Sequence, residues 1–428
     1  MGKVLDHTGG KRAESLPSGM IEGKELEEEV EKAILVCAIL GKKRSEAEEH
    51  LAELELLAHT AKISCMAQVT QEREKIDPAT YLGSGKIEEI AVLADQLEAE
   101  LLLFDDELSP SQGRNIEKIT KKRVQDRTGL ILDIFAKRAH TREAKLQVEL
   151  ARVEYLLPRL TGMWSHFTRQ KGGVGLKGDG ETQLEMDRRM TKTRISELKK
   201  EIEKLGDQRE IRRRSREKYF RVSLVGYTNA GKSTLLNALT DAGTYTEDQL
   251  FATLDSTTRR IPRSEVLLAD TVGFIRKLPH TLVASFRSTL SEIKEADLLL
   301  HVVDVSHPTF LDQMAITDTV LNEIGAGDIP AILVLNKSDR LPDCIVGKLQ
   351  RRFPEGVFLS AKEKKGTKEL VEKIREMAEL PIETAKIPFG SEKQLADFYK
   401  LGRVLDVRYG EEFIEVDFRR LRSKSSKA

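Results

Sequence analysis

The sequence predicts an α/β protein with a doubly wound, mostly parallel main sheet, preceded by a small α/β domain and a long antiparallel helical hairpin. Three observations predict this. Apolar runs of strand length alternate with helical patterns over residues 31–140 and again over 219–380, as in parallel α/β sheets. Between them, apolar residues recur at heptad spacing in two stretches. A glycine-rich loop directly follows the apolar run Phe220–Val225.

Composition places the chain in a broad class. Its 428 residues allow two or three domains. Lys+Arg and Asp+Glu are each 70, so nucleic-acid binding would require segregated charges. The three cysteines are scattered, which favours a reducing compartment. No apolar run approaches the roughly 18 residues that span a bilayer. We expect a cytoplasmic monomer without stable membrane insertion, and peripheral membrane association stays open.

The first 140 residues predict a disordered lead-in and then a small α/β domain. Residues 1–30 are polar, which is typical of disorder. The predicted strands are Ala33–Ile39, Ile63–Val69 and Leu101–Phe104, with helices over 45–60, 86–97 and 109–120. The loop Tyr81–Lys86 is glycine-rich and basic and opens a helix. It is either an ordinary helix cap, which we favour, or an anion site.

Residues 141–218 predict the helical hairpin. One apolar seam comprises Leu146, Leu150, Val153, Leu157 and Leu160, and a second comprises Ile195, Leu198, Ile202 and Leu205. Pro158 kinks or ends the first helix. The joining loop, 169–180, is glycine-rich and carries Arg169, Lys171 and Lys177. It is either a flexible connector or a tip that docks on phosphate or folded RNA, and we favour docking.

The glycine-rich loop after Phe220–Val225 has the pattern G-x-x-x-x-G-K-S, which is a phosphate-binding loop when it joins a strand to a helix. Gly226 and Gly231 let backbone N–H groups turn toward phosphates. Lys232 can reach the β- and γ-phosphates, and the Ser233 hydroxyl can bind Mg²⁺. The predicted phosphate-binding residues are Gly226, Tyr227, Thr228, Asn229, Ala230, Gly231, Lys232, Ser233 and Thr234.

Four downstream motifs identify the nucleotide as GTP or GDP. A carboxylate at Asp270 can hold Mg²⁺, and Asp339 can accept hydrogen bonds from the guanine edge. The predicted site residues here are Asp270, Thr271, Val272, Gly273, Asn336, Lys337, Asp339, Ser360, Ala361 and Lys362, with Thr253 as a switch residue. We expect catalytic roles for Lys232, Thr253 and Gly273, and Mg²⁺ ligation by Ser233, Thr253 and Asp270. Residues 219–380 are therefore predicted to be a Ras-like P-loop GTPase domain.

The residue after Gly273 bears on the rate of intrinsic GTP hydrolysis. Ras-like enzymes carry a glutamine there that orients the attacking water. This chain carries Phe274, whose side chain cannot hydrogen-bond to water. We therefore expect slow intrinsic GTP hydrolysis, corrected by a partner or by another residue, and we favour stimulation by a partner.

The C-terminal residues 381–428 predict a short α/β segment with a basic tail. Pro381–Ile387 is predicted to be a linker, Lys393–Val407 a helix and the start of a strand, and Glu412–Phe418 a strand. Because these residues are too few for a good independent core, we expect them to dock on the GTPase domain.

Several stretches beyond the nucleotide motifs resemble HflX-type GTPases, of the Obg–HflX branch of translation-associated GTPases. They are Asp126–Ala136, Gln147–Ala151, the loop from Gly172 to Glu181, Leu184–Arg189 and Asp270–Ile275. The resemblance implies a switch that binds the large ribosomal subunit, with the small α/β domain and the hairpin reaching ribosomal RNA. It also implies a role in splitting or rescuing stalled ribosomes under stress. The alternative is a GTPase with another partner: a membrane surface, or a non-ribosomal RNA remodelled with ATP at the N-terminal domain.

Overall fold

The structure is a computed structural model. It describes residues 30–41, 44–160, 179–214, 219–240, 250–251, 257–262, 264–277, 292–378, 382–388, 395, 398–399, 402–410 and 413–420. Within helix 179–214, side chains are described from 185 to 205. Apart from Val30, the predicted lead-in lies outside this set. Among the described residues, no helix combines the length and apolar character that crossing a membrane requires.

The N-terminal α/β domain has a four-stranded, fully parallel sheet in the order β2-β1-β3-β4. Its elements are β1 (Glu31–Leu40), α1 (Arg44–Thr60), β2 (Ile63–Arg73), α2 (Ser84–Gln96), β3 (Leu101–Phe104), α3 (Pro110–Thr120), β4 (Arg123–Asp126) and α4 (Arg127–Arg138). The chain builds outward from β1 in both directions, so the strand order reverses between β1 and β3. In open α/β sheets, ligand crevices lie at such a reversal, beyond the carboxyl ends of the strands. Asp105 and Asp106 follow β3 at this point.

The two helices of the predicted hairpin are α5 (Arg142–Leu156) and α6 (Asp179–Arg214). The Thr141 hydroxyl caps α5 by accepting from the Ala144 N–H, and the helix ends just before Pro158. The helices pack through the predicted seam, where the buried Leu146, Leu150 and Leu198 meet Ile195, Ile202 and Leu205. The tip loop lies almost wholly outside the described residues, and the antiparallel direction stays a prediction.

The second sheet has six strands in the order β10-β9-β8-β5-β7-β6, parallel except for the β6–β7 pair. Its elements are β5 (Phe220–Val225), α7 (Lys232–Thr240), β6 (Thr257–Arg260), β7 (Val266–Asp270), β8 (Leu298–Asp304), α8 (Phe310–Glu323), β9 (Ala331–Asn336), α9 (Asp343–Arg352), β10 (Val357–Phe358) and α10 (Thr367–Ala378). The predicted doubly wound, mostly parallel fold is confirmed. Strand β5 ends at the reversal of strand order, where the phosphate-binding loop begins.

One hydrophobic cluster spans the two α/β domains, and each domain also has a cluster of its own. A single cluster of buried residues contains Leu51 and Phe135 of the N-terminal domain together with Phe251 and Phe274 of the second domain. The rings of Phe135 and Phe251 meet edge to face, with centroids 4.6 Å apart. Since the packing is continuous, the position of one domain constrains the nucleotide-facing loops of the other.

The C-terminal segment is a three-stranded antiparallel sheet in the order β11-β13-β12. Its strands are β11 (Ile382–Pro388), β12 (Gly402–Tyr409) and β13 (Phe413–Arg420). The linker predicted at Pro381–Ile387 is therefore wrong, because all but its first residue lie in β11. Ile387, Ile414 and Val416 form a buried cluster within this segment. Docking of the segment on the GTPase domain stays a prediction.

Candidate nucleotide-binding site

The loop between β5 and α7 has a backbone that only glycine allows at two positions. Gly226 has φ +147° and Gly231 has φ +92°. A Cβ at Gly226 would lie 2.2 Å from the Val302 carbonyl oxygen, and one at Gly231 would lie 2.3 Å from Asn336 Nδ2. These glycines therefore provide both the turn and the close approach of the loop to its neighbouring strands. The loop ends at the N-terminus of α7, where free N–H groups favour an anion.

Lys232 is held inside the loop. Its side chain is buried, and its Nζ donates to the carbonyl oxygens of Gly226 at 3.1 Å and Tyr227 at 2.8 Å. Burial lowers the pKa of Lys232 to about 8, although the charge of Asp270 acts in the opposite direction. An ammonium with two carbonyl partners and little water favours a phosphate as its next neighbour.

Ser233 and Asp270 meet where the sequence predicts the magnesium ion. The Ser233 hydroxyl donates to Asp270 Oδ2 at 2.6 Å, and Asp270 is buried at the end of β7. A hydroxyl and a carboxylate are hard oxygen ligands that suit Mg²⁺ when phosphate oxygens complete the shell. In the part of the chain that the structure describes, no group of three or more His, Cys, Asp or Glu side chains could hold a metal without the nucleotide. Thr253, the third predicted ligand, lies outside the described residues.

Residues 271–277, which we call switch II, lie against the phosphate-binding loop. The Phe274 N–H donates to the Gly226 oxygen at 3.1 Å, and the Phe274 carbonyl accepts from the Thr228 N–H at 2.7 Å. A Cβ at Gly273 would lie 2.9 Å from Lys232 Nζ and 2.8 Å from Thr228 Cα. The Phe274 side chain is 1% exposed, so it belongs to the core. Thr271 and Val272 are also buried here, and the Thr271 hydroxyl donates to the Leu224 carbonyl at 2.6 Å.

The motif predicted to recognise the base, residues 336–339, is connected to the phosphate-binding loop by two of its side chains. Asn336 donates to the Ala230 oxygen at 2.8 Å and accepts from the Ala361 N–H at 3.0 Å, which connects three loops. Lys337 donates to the Asn229 oxygen at 2.7 Å and pairs with Asp304 at 2.8 Å.

The residues predicted to contact the base lie beside these ties. Asp339 is exposed in a short 3-10 turn, Ser338–Arg340, where a base could reach it. Ser360 is buried and exchanges two backbone hydrogen bonds with Lys365. Lys362 is exposed beside them. Hydrogen bonds thus connect the phosphate-binding loop with Asp270, Asn336, Lys337 and, through Asn336, Ala361.

One set of contacts has no counterpart in the sequence-based expectations. The Tyr227 hydroxyl, within the phosphate-binding loop, donates to Glu53 of helix α1 at 2.5 Å and accepts from the Arg276 N–H at 2.8 Å. Burial, reinforced by Glu53, raises the pKa of Tyr227, so the hydroxyl stays a donor. Lys277 of switch II pairs with Asp105 and Asp106 of the N-terminal domain. No local pattern marks Tyr227 or Lys277, because their carboxylate partners lie more than 170 positions away.

Comparison with known proteins covers most of the chain. Three sequence profiles match in succession: "GTP-binding GTPase N-terminal" over residues 48–136, "GTP-binding GTPase Middle Region" over 138–216 and "50S ribosome-binding GTPase" over 221–337.

Among curated relatives, GTPase HflX of Alkalihalophilus pseudofirmus is 50% identical over 74% of this chain and 76% of its own length. GTPase HflX of Escherichia coli is 46% identical over 82% and 85%. A solved GTP-binding protein from Sulfolobus solfataricus, in complex with GDP, is 26% identical and covers 81% of this chain and 98% of its own, with a TM-score of 0.44. The identities and coverage of the curated relatives establish that this chain belongs to the HflX family of GTPases, which bind and hydrolyse GTP.

Proposed function

We propose that this GTPase is a Mg²⁺-dependent switch that binds the large ribosomal subunit and splits or rescues stalled ribosomes under stress. The observation that carries the proposal is the burial of Phe274. The position that orients the attacking water in Ras-like enzymes is here part of the core, so Phe274 does not supply that group. Slow hydrolysis alone and faster hydrolysis on a partner follow from this. The profile over residues 221–337 names the 50S ribosome, which supports that partner.

The chemistry assigned to the site is positioning and charge stabilisation. Lys232 and the loop N–H groups hold the phosphates, and the Gly273 N–H faces the γ-phosphate. Ser233, Asp270 and Thr253 would hold Mg²⁺, which when bound would neutralise charge on the phosphate oxygens. Asp339 selects guanine, supported by Asn336 and by the loop at Ser360–Lys362. Asn336 and Lys337 keep base and phosphates in register through their hydrogen bonds to the phosphate-binding loop.

Co-sedimentation of the full chain with purified large subunits tests the ribosomal partner. We expect binding with a non-hydrolysable GTP analogue, much weaker binding with GDP, and weak binding to small subunits in either state. We also expect large subunits to raise the GTP hydrolysis rate. Equal binding in both nucleotide states, or a free enzyme as fast as the subunit-bound one, contradicts the proposal.

The tip loop of the hairpin provides a second arm of the test. Replacing Arg169, Lys171 and Lys177 by Ala should weaken large-subunit binding by about 1 kcal/mol or less per phosphate contact. The salt dependence of binding should become less steep, because fewer counterions are released. Melting temperature and GTP affinity should stay unchanged. A wild-type salt slope in this variant would assign the loop to a spacer role and leave the GTPase proposal intact.

A further inference from the structure

A cavity of about 270 Å³ lies beside the phosphate-binding loop, between α1 of the N-terminal domain and the loop that follows β8. Thr228 and Asn229 of the phosphate-binding loop line it. Leu56 and His307 also line it and are exposed, so the cavity reaches the protein surface. A side chain of a partner can therefore approach the phosphate-binding loop from this side.

Thr228 brings a polar atom without a partner to this cavity. Thr228 is 6% exposed, and among the residues that the structure describes its hydroxyl has no hydrogen-bond partner. A Cβ added at Gly273 would lie 2.9 Å from the Thr228 methyl carbon, so the methyl group faces switch II and leaves the hydroxyl for the cavity. A buried hydroxyl without a partner is costly, so this atom marks a place for a ligand that donates a hydrogen bond.

Glu53 and Tyr227, which line the cavity on the side of the N-terminal domain, belong to a buried circuit of polar contacts. The circuit comprises, in order, Tyr227, Glu53, Arg127 and Asp105. Arg127 is 2% exposed and pairs with Glu53 and with Asp105, each at 2.8 Å. Because a cation and a hydroxyl already hold the Glu53 carboxylate, its geometry is fixed beside the phosphate-binding loop.

Glu49 is the carboxylate of this cavity with the longest described ion pair. Its contact with Arg276 spans 3.9 Å, and its side chain is 38% exposed. Asp304, the third carboxylate that lines the cavity, pairs with Lys337 at 2.8 Å. Glu49 is therefore the carboxylate that can bind a cation arriving from solvent.

The arrangement of these groups suits a guanidinium better than a metal ion. Within the described ranges, the cavity included, no group of three or more His, Cys, Asp or Glu side chains could hold a metal ion. A guanidinium is planar, carries N–H donors on more than one edge and binds a carboxylate through paired N–H groups. It can meet Glu49 with one edge and the Thr228 hydroxyl with another. The carboxylates repel the phosphates of RNA, so such a group comes from a protein.

We propose that an arginine side chain from a protein of the large ribosomal subunit enters this cavity, is held by Glu49 and Thr228, and completes the GTPase site. The inference rests on the proposed function and deepens it, since it names the group that stimulates hydrolysis. The cavity adjoins Thr228, which packs against Gly273, and a γ-phosphate belongs between Gly273 and Lys232. Glu49 acts through the arginine, so it is a positioning residue.

The chemical role of this guanidinium is to offset charge. In hydrolysis, water attacks the γ-phosphorus, the bond from that phosphorus to the β–γ bridging oxygen breaks, and GDP, orthophosphate and a proton are released. Negative charge on the phosphate oxygens is stabilised by a cation beside them. Phe274 is buried and supplies no polar group, so a cation from the partner accelerates the step that the free protein performs slowly.

The first test adds guanidinium chloride to the full chain without ribosomes, at concentrations well below those that unfold proteins. GTP hydrolysis should rise by about threefold or more, because the free ion takes the place of the side chain. Choline chloride at the same ionic strength should have no effect, and Glu49→Gln should respond much less than wild type. No response to guanidinium, or an equal response to choline or to potassium chloride, overturns the proposal.

The second test measures hydrolysis at increasing concentrations of large subunits. Glu49→Gln should lower the maximum stimulated rate by about tenfold, because the arginine loses its charged partner. The rate without subunits and the melting temperature should stay as in wild type. The control is Glu48→Gln on the same helix, where Glu48 is 67% exposed and pairs with Arg44 at 3.4 Å. An unchanged maximum rate in Glu49→Gln, or an equal loss in the control, overturns the proposal.

A third arm distinguishes protein from RNA as the source of the cation. Large-subunit RNA freed of protein should not stimulate hydrolysis, and stimulation equal to that by intact subunits would overturn the proposal. The outcomes also separate this inference from the function on which it rests. If intact subunits fail to stimulate the wild type, the ribosomal partner is wrong, and the guanidinium response still decides what the cavity binds. If they stimulate the wild type and Glu49→Gln equally, the ribosomal partner stands and the arginine site is wrong.

Discussion

The two α/β domains have the same architecture, but their ligand crevices suit ligands of opposite charge. In the GTPase sheet, the loop at the reversal of strand order presents N–H groups and the Lys232 ammonium, which suit an anion. In the N-terminal sheet, the equivalent crevice presents Asp105 and Asp106, which suit a cation and already hold Lys277. A shared fold therefore says where a ligand can bind, while the side chains decide which ligand it is. Substitutions in one domain at a time can test this difference.

The largest expected effect is on the stability of the N-terminal crevice. Arg127→Met removes the buried cation between Glu53 and Asp105, whose charges then lack their main partner. We expect the free energy of unfolding to fall by about 3–5 kcal/mol, measured by urea denaturation followed by circular dichroism. The control, Arg123→Met, removes an arginine from the neighbouring strand that is 55% exposed and paired with Glu31. Equal losses in the two variants would mean that the buried circuit has no special energetic role.

The next largest effect separates the two glycine-rich loops. Lys232→Ala removes the cation that we propose binds the phosphates, so we expect kcat/KM for GTP to fall by about a hundredfold or more. Lys86→Ala acts on the glycine-rich loop of the N-terminal domain, where Lys86 pairs with Glu89 at 2.7 Å. GTP affinity and hydrolysis should stay within about twofold in this variant. A large loss of GTP affinity or hydrolysis with Lys86→Ala would indicate an anion site in the N-terminal domain. The two domains would then not differ in the charge of the ligand that they prefer.

The effect on base selection should be smaller, and affinity lost for GTP should be gained for a different nucleotide. Asp339→Asn replaces the carboxylate that we propose accepts two guanine hydrogen bonds with an amide that both donates and accepts. GTP affinity should fall by about ten- to a hundredfold, while xanthosine triphosphate, which carries a further carbonyl, should gain affinity. Competition binding with GTP, xanthosine triphosphate and ATP measures this. Unchanged GTP preference would place the base away from Asp339.

The smallest effect is the pH dependence of nucleotide affinity. Burial lowers the pKa of Lys232 to about 8, so the ammonium that phosphate prefers is present below this pH and lost above it. From pH of about 7 to about 8.5, GTP affinity should fall about fourfold. Calorimetry in buffers of different ionisation enthalpy should show proton uptake on binding. Lys232→Arg stays charged over this range and should show neither effect. Proton release by the wild type would contradict the sign of this shift.

The sequence could predict where the candidate nucleotide-site residues lie in the fold because their motifs are local. Gly226, Lys232 and Ser233 lie within one loop, and the strand-then-loop pattern also located Asp270 and Asn336 at one edge of the sheet. The burial of Phe274 likewise agreed with its apolar character. Each of these depends on residues a few positions apart or on the general geometry of parallel sheets.

The remaining features could not be predicted because they depend on distant contacts. Tyr227 occupies a variable position of the loop motif, yet its hydroxyl donates a hydrogen bond to Glu53, 174 residues earlier. Arg127 gives no sign that it will be buried, because charged residues at a helix start are usually solvated. The strand β11 was missed because a proline before a short mixed run favours a linker, and only pairing with β13 makes it a strand.

The crevice that receives Lys277 also has a consequence for synthesis of the chain. Asp105 and Lys277 are 172 residues apart, so at about 5–20 residues per second the N-terminal domain waits roughly 9 to 34 s for its lysine. During that interval Arg127 can already pair with Asp105, but the carboxylate of Asp106 faces solvent and any passing cation. The nascent N-terminal domain therefore has a different surface charge from the finished protein. Its crevice closes only when the second domain begins to fold.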